Sequence, residues 1–348
     1  MNIAFRVDAY EAIGLGHIMR CLNLAQSLRK QKINIFFISS IDSNKIIKKI
    51  KQADIELLRI NKNYSNKNNE KTWLKKNQLE DAKETIDLIK SKNIFWLIVD
   101  SYKLNFIWEK EASKYVKKIF VIDDLFQSKH YCDLILNQNF VEKKNLDKIL
   151  CKKGTKILIG PKYALINQNI KKIKLTNNLK NIIIFFGGKL QVKIIREILN
   201  FLVKKKKFSL KILVMKNSSK LESIKKKYKK FKNIKFLIFP KNYENLLYNS
   251  QFFIGAGGSS IFERLFAGLP NYIFCVSKNQ KNNCDFLKEK NLAFMKSIDT
   301  QINLKYFKNN ISKILNDKDK LLKMSRRGIS CVDGQGSKRI SKILTSKY

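Results

Sequence analysis

The first of only two histidines in this 348-residue chain stands in "AIGLGHIMRC" (12–21), directly behind a pair of glycines and in front of an amphipathic run. Ile18, Leu22, Ala25 and Leu28 recur at helical spacing, which predicts that His17 sits at the start of a helix. Gly14 and Gly16 let the backbone bend sharply and approach a ligand. The full dinucleotide fingerprint is absent, because its third glycine would fall at Met19. The positive end of a helix dipole favours a neutral imidazole, the form a general base requires. Two readings follow for His17: a catalytic base held by a glycine loop, or a capping and packing residue.

A second loop, "FFIGAGGSSIFERLFAGLP" (252–270), turns on Gly255, Gly257 and Gly258 before Ser259 and Ser260 open a helix whose apolar face is Ile261, Leu265 and Leu269. Backbone N–H groups, serine hydroxyls and the helix dipole together make an anion site. Ser260 and Glu263 also have the spacing of a capping box, which would explain these two residues but not the three glycines before them. Further on, Asn279 and Gln280 in "CVSKNQKNN" (275–283) carry amides able to bond a sugar or base. "VDSY" (99–102) and "VIDDL" (121–125) end strands with an acid or a tyrosine, a common structural arrangement when each is taken singly.

These loops need a scaffold, and the chain supplies one twice. Apolar, β-rich runs at 2–9, 33–39, 55–60, 94–100, 118–124, 133–139 and 156–160 alternate with helix-period stretches. The scheme repeats with runs at 181–188, 210–215, 234–239, 252–256 and 271–276. Near-continuous apolar strands suit parallel sheets covered on both faces. The expected fold class is α/β, with two tandem doubly wound, Rossmann-like domains and a cleft between them, spanning 1–167 and 168–348. The lysine- and asparagine-rich stretch 167–180 reads as the linker.

Composition limits the function classes. No apolar run approaches the roughly 18 residues of a membrane span, and the amino terminus enters a strand pattern without a secretory signal, so a cytoplasmic protein is expected. The six cysteines show no C-x-x-C spacing, and Cys132 with His130 cannot supply a usual zinc pattern; neither a metal nor a cofactor is expected. The net charge of +43 invites a polyanion-binding reading, but the excess is almost all lysine spread along the chain while arginine is scarce. No specific nucleic-acid partner is expected, and a monomer is.

In combination, G-x-G-H at 14–17, "LNQN" followed by "LIGPKYALI", "GAGGSSIFERLFAGLP", "KNQ" and a late "DGQGSKRI" resemble, in order and spacing, the nucleotide-sugar hydrolases of pseudaminic acid biosynthesis. The resemblance covers roughly residues 1–345. It implies a GT-B-like arrangement and the removal of UDP from UDP-2,4-diacetamido-2,4,6-trideoxy-β-L-altropyranose. His17 would activate water, with Gly14, Gly16 and Arg20 among the substrate-binding residues. Gly257, Gly258, Ser259 and Ser260 would hold the diphosphate and Glu263 the ribose, while Asn279, Gln280 and Tyr102 would meet the sugar. Two departures stand out: Lys189 in "FGGKLQVK" (186–193) replaces a small polar residue, and Asn167 stands where an arginine is usual. A UDP-sugar glycosyltransferase of the same fold and a non-catalytic polyanion-binding protein are the alternative functions.

Overall fold

A computed structural model describes residues 1–8, 16–41, 43–60, 78–141, 150–175, 179–188, 190–215, 218–238, 240 and 242–346. It divides into two units, Met1–Ile166 with Gly334–Tyr348, and Asn167–Asp333.

The first unit is built on seven parallel strands: β1 (Asn2–Val7), β2 (Asn34–Ser39), β3 (Glu56–Arg59), β4 (Ile94–Asp100), β5 (Lys118–Ile122), β6 (Leu134–Asn137) and β7 (Lys156–Ile159), in the order β3-β2-β1-β4-β5-β6-β7. Parallel neighbours require crossovers. Helices α1 (Gly16–Arg29), α2 (Asn44–Gln52), α3 (Gln78–Ile89) and α4 (Phe106–Ala112) lie in those connections. The second unit holds five parallel strands, β8 (Asn181–Phe185), β9 (Ser209–Val214), β10 (Ile234–Ile238), β11 (Phe252–Ala256) and β12 (Asn271–Phe274), ordered β10-β9-β8-β11-β12. Its helices are α5 (Val192–Leu202), α6 (Ser219–Tyr228), α7 (Tyr243–Tyr248), α8 (Ile261–Ala267), α9 (Lys281–Glu289), α10 (Thr300–Asn316) and α11 (Lys318–Cys331). Each apolar run expected to form a strand does so, within a few residues at its ends.

Apolar residues continue along these strands because both faces of each sheet are covered. In β8, Ile182 and Ile184 enter one core with α5, α6 and α10, while Ile183 between them enters the opposite core with Leu247 and Ala267. The β11 residues divide in the same way, Phe252 and Ile254 against Phe253. This is the two-residue alternation of a strand applied to two buried faces.

Two boundaries differ from the sequence-based partition. The expected linker packs onto the second unit: Ile170 and Ile173 are buried in its core, and the Ile173 N–H donates to the Ala267 carbonyl (2.8 Å). The chain end expected to belong to 168–348 returns to the first unit as α12 (Gly336–Thr345). There Trp96 Nε1 donates to the Leu344 carbonyl (3.1 Å) and Arg339 Nη1 to the Lys162 carbonyl (2.7 Å). Gly336 explains why "DGQGSKRI" and "GPKYALI" occur together. A Cβ at Gly336 would lie 2.3 Å from the Ala164 carbonyl oxygen, so only glycine permits this approach.

Candidate functional site

In an open parallel sheet, ligands bind outside the carboxyl ends of the strands where the strand order reverses. The reversal in the first unit lies between β1 and β4, and in the second between β8 and β11. His17 follows β1, and "GAGGSS" ends β11. His17 and the "GAGGSS" stretch therefore stand at the switch point of their own sheets.

In the first unit, Asp100 ends β4 level with Val7 of β1, and α1 starts at Gly16. Ile18, Leu22, Ala25 and Leu28 are buried, which fixes the face that α1 turns to the core and carries His17 and Arg20 towards Asp100. His17 Nδ1 lies 2.5 Å from Asp100 Oδ1. Arg20 grips the same carboxylate with Nε (2.6 Å to Oδ2) and Nη2 (2.7 Å to Oδ1), and its Nη1 donates to Asp124 Oδ2 (2.6 Å). The Tyr102 hydroxyl donates to Asp124 Oδ2 (2.9 Å), and its ring meets the imidazole edge-on with centroids 4.6 Å apart. Asn139 Nδ2 donates to Asp124 Oδ1 (3.0 Å).

Burial opposes the charge on Asp100, yet the Arg20 guanidinium and His17 hold the carboxyl well below the usual carboxylate range. Burial, aided by Asp124, pushes the Tyr102 hydroxyl well above its ordinary value. An ionised Asp100 accepts the Nδ1–H of a neutral imidazole and leaves the ring lone pair on Nε2. Nε2 has no partner among the described residues. The packing role weighed for His17 is thus present as well, since the residue is only 8% exposed.

His17, Arg20 and Tyr102 are thereby brought into one cluster. Gly16 is exposed at the head of α1, and Gly14 lies outside the described residues. Asp100 and Asp124 join the cluster although neither was singled out beforehand. Their signal was available in "VDSY" and "VIDDL", but it gains meaning only when β4 lies beside β1 and β5 beside β4.

In the second unit, Gly257 is buried under α9: a Cβ there would lie 2.6 Å from Cys284 Sγ. Among the described residues the N–H groups of Gly258, Ser259 and Ser260 have no backbone acceptor. The capping box is absent. Ser260 has helical backbone angles (φ −64°, ψ −5°), its side chain caps no N–H, and its Oγ instead accepts from Arg264 Nη1 (2.8 Å). Arg264 was missed in the sequence. It is fully buried, donates Nη2 to the Ala256 carbonyl (2.9 Å) and Nε to Asn271 Oδ1 (2.8 Å), and stacks 3.9 Å above the Phe253 ring. Burial draws its guanidinium down to about 10. Arg264 therefore braces both ends of the 256–260 loop from beneath.

Glu263 is half-buried, and burial raises its carboxyl to about 7, with the Asn167 N–H opposing and Glu244 reinforcing the rise. Asn167 Nδ2 also donates to Glu244, so the residue at this departure from the family pattern is engaged with the acids of α7 and α8. The other departure, Lys189, lies outside the described residues. Gln280 Oε1 accepts the Val276 N–H (3.3 Å), and its amide nitrogen lies 3.6 Å from where a Cβ on Gly258 would stand. Asn279 is exposed and accepts from the Ser277 hydroxyl (2.5 Å). Among the described residues no cluster of three or more His, Cys, Asp or Glu suits a metal ion, and no helix is long and apolar enough to cross a membrane.

Residues 182–342 match the family model of the glycosyltransferase family 28 C-terminal domain. An uncharacterized protein of Methanocaldococcus jannaschii is 26% identical over 308 residues, covering 83% of this chain and 59% of that protein, so the chain spans under two thirds of the length of this relative. The UDP-2,4-diacetamido-2,4,6-trideoxy-β-L-altropyranose hydrolase of Campylobacter jejuni is 27% identical over 293 residues, covering 83% of this chain and 97% of that protein. The S. aureus MnaA co-structure with UDP superposes with a TM-score of 0.71 at 13% identity, covering 99% of this chain and 95% of that chain. The fold is GT-B, two α/β units each with a parallel sheet.

Proposed function

We propose that the protein hydrolyses UDP-2,4-diacetamido-2,4,6-trideoxy-β-L-altropyranose, or a close relative of that nucleotide sugar, to UDP and the free sugar. The observation that carries this reading is the 2.5 Å contact between His17 Nδ1 and Asp100, which orients the imidazole with its free lone pair on Nε2. In the reaction, Nε2 takes a proton from water as the water oxygen bonds to the anomeric carbon. The bond from that carbon to the phosphate oxygen breaks, and UDP leaves with the electron pair. Charge gathers on the leaving diphosphate, and the N–H groups of Gly258, Ser259 and Ser260 with the two serine hydroxyls are the donors assigned to it. Arg264 preorganises them by holding Ser260 and Ala256. Glu263 is assigned to the ribose hydroxyls, and Asn279, Gln280 and Tyr102 to the sugar. The likeness to the Campylobacter jejuni hydrolase supports the substrate class.

The match to a glycosyltransferase C-terminal domain favours one competing reading, in which an acceptor hydroxyl takes the place of water at the same base. Incubation with the nucleotide sugar in ¹⁸O-water separates the two. Label in the sugar, with UDP released in the absence of any acceptor, is expected. Label in UDP would mean attack at phosphorus, and no release without an acceptor would establish transfer. Salt-sensitive RNA binding without turnover would favour a polyanion-binding protein instead.

A further inference from the structure

The second histidine has no part in the reaction drawn above, yet both of its ring nitrogens are engaged. His130 is buried, and its backbone is tied to the segment around Cys151: its N–H donates to the Leu150 carbonyl (2.8 Å) and its carbonyl accepts the Lys152 N–H (3.2 Å). Nδ1 lies 2.7 Å from Glu109 Oε1 of α4, and Nε2 lies 3.3 Å from Oδ2 of Asp123, just past the end of β5. Glu109 is fully buried, and its other oxygen accepts the Tyr131 N–H (2.5 Å). Ionised carboxylates only accept hydrogen bonds, so a ring that faces one with each nitrogen satisfies both by carrying two N–H groups.

Asp123 also shapes the chain that follows it. Its Oδ1 accepts the Leu125 N–H (2.9 Å) and its Oδ2 the Phe126 N–H (2.8 Å), which closes a turn over 123–126. Phe126 stands in the left-handed region (φ +52°), a costly conformation for a bulky residue that persists only where the surroundings impose it. Asp124 meets a different set of partners: Oδ2 receives Arg20 Nη1 (2.6 Å) and the Tyr102 hydroxyl (2.9 Å), and Oδ1 receives Asn139 Nδ2 (3.0 Å). Of the three donors to the Asp123 side chain among the described residues, two belong to the turn itself. Only His130 ties that carboxylate to the rest of the unit.

We propose that His130 is a positioning residue: its ring, anchored on Glu109, holds Asp123 and with it the turn that aims Asp124 at Tyr102 and Arg20. Without the ring, the turn keeps the backbone bond from the Asp123 N–H to the Leu136 carbonyl (3.0 Å) but loses the hold on its side chain. The turn can then pivot about that bond, and the Asp124 carboxylate shifts relative to the Tyr102 hydroxyl.

Tyr102 reports where Asp124 stands. The full chain is labelled with ¹³Cζ-tyrosine for NMR, and the Tyr102 signal is the one lost in Tyr102→Phe. His130→Asn is expected to shift that signal in the same direction as Asp124→Asn. With both substitutions the shift should equal that of Asp124→Asn alone, because His130 acts through that carboxylate. Trp96→Phe removes the indole bond to Leu344 elsewhere in the same unit and should leave the signal in place, which separates positioning from lost stability. Glu109→Gln keeps the ring but weakens its anchor; its smaller shift of the same sign decides the matter if His130→Asn does not fold. An unmoved Tyr102 signal in the folded variants, or shifts that add in the double substitution, overturns the proposal. The consequence for turnover rests on the function proposed above, with Tyr102 meeting the sugar. His130→Asn should raise KM for the nucleotide sugar about tenfold, the scale of one hydrogen bond, at unchanged UDP affinity. If the wild type turns over no nucleotide sugar, the functional reading fails while the Tyr102 signal still decides the role of His130.

Discussion

His17 Nδ1 and Asp100 Oδ1 stand 2.5 Å apart, and the same carboxylate receives two N–H groups from Arg20. One acid therefore sets both the tautomer of the imidazole and the position of the guanidinium. Because a positioned base contributes roughly 10²- to 10⁴-fold in rate, His17→Ala is expected to lose that factor in kcat. Its UDP affinity is expected to be unchanged, since the assigned diphosphate donors belong to the second unit. Steady-state kinetics and titration calorimetry check both, and full turnover by the variant would remove His17 from the mechanism.

Asp100→Asn separates tautomer from packing. An amide that donates to Nδ1 forces the ring proton onto Nε2, where it blocks water activation. A drop in kcat comparable to that of His17→Ala is expected from protein that is still folded. Arg20 loses one of its two anionic partners, and breaking a buried ion pair costs roughly 3–5 kcal/mol, reduced here because Asp124 remains. Chemical denaturation measures the second effect and single-turnover kinetics the first. Unchanged kcat in the folded variant would leave Asp100 a packing residue only.

The sheets were legible because both of their faces are buried, so their strands read as unbroken apolar runs such as "IFWLIVD" and "NIIIFF". His17 was legible because glycines flank it. Asp100 was not, since an acid at a strand end is ordinary, and its meaning depends on β4 lying beside β1 from 83 residues away in the chain. Arg264 was hidden for a related reason. Beside Glu263 it reads as a solvated helix position, and only the return of β12 with Asn271 closes over it. The last helix shows the limit of local pattern, because amphipathicity fixes which face α12 buries but not the unit that receives it.

Gly257 and Gly258 of the second loop are expected to behave differently. A Cβ at Gly257 meets Cys284 Sγ at 2.6 Å and Ile273 Cγ2 at 3.1 Å, whereas at Gly258 the nearest atom is the Gln280 amide nitrogen at 3.6 Å. Gly257→Ala should lose about 1–3 kcal/mol of stability through overpacking. Gly258→Ala should fold normally and, if the loop holds a diphosphate, bind UDP more weakly because the methyl group crowds the backbone approach. Thermal melts and calorimetry on the two variants decide it. Equal stability would contradict the packing against α9.

If Glu263 meets the ribose as proposed, nucleotide affinity depends on pH. Its carboxyl is raised from 4.5 to about 7 by burial. Below that value the neutral acid is a poorer acceptor for ribose hydroxyls, and above it the carboxylate is the stronger one. UDP affinity should therefore rise with pH through about 7, and Glu263→Gln should lack that rise. Parallel pH profiles of the two proteins would exclude Glu263 from the nucleotide site.

His130 predicts a fall in stability on the alkaline side. Its Nδ1 meets Glu109 Oε1 at 2.7 Å and its Nε2 meets Asp123 Oδ2 at 3.3 Å, so both ring nitrogens face carboxylates. Burial opposes the charge, but the two acids outweigh it and raise the imidazole from 6.5 to about 10. Between those values the folded chain holds one proton more than the unfolded chain. The stabilisation is therefore complete below about pH 6.5 and is lost as pH rises through about 10. The steepest slope for one proton is about 1.4 kcal/mol per pH unit. The informative quantity is the stability gap between wild type and His130→Asn measured by urea unfolding, in which the groups common to both proteins cancel. That gap should narrow steadily from pH 6.5 to 10, and a constant gap would mean that His130 carries no charge in the folded protein.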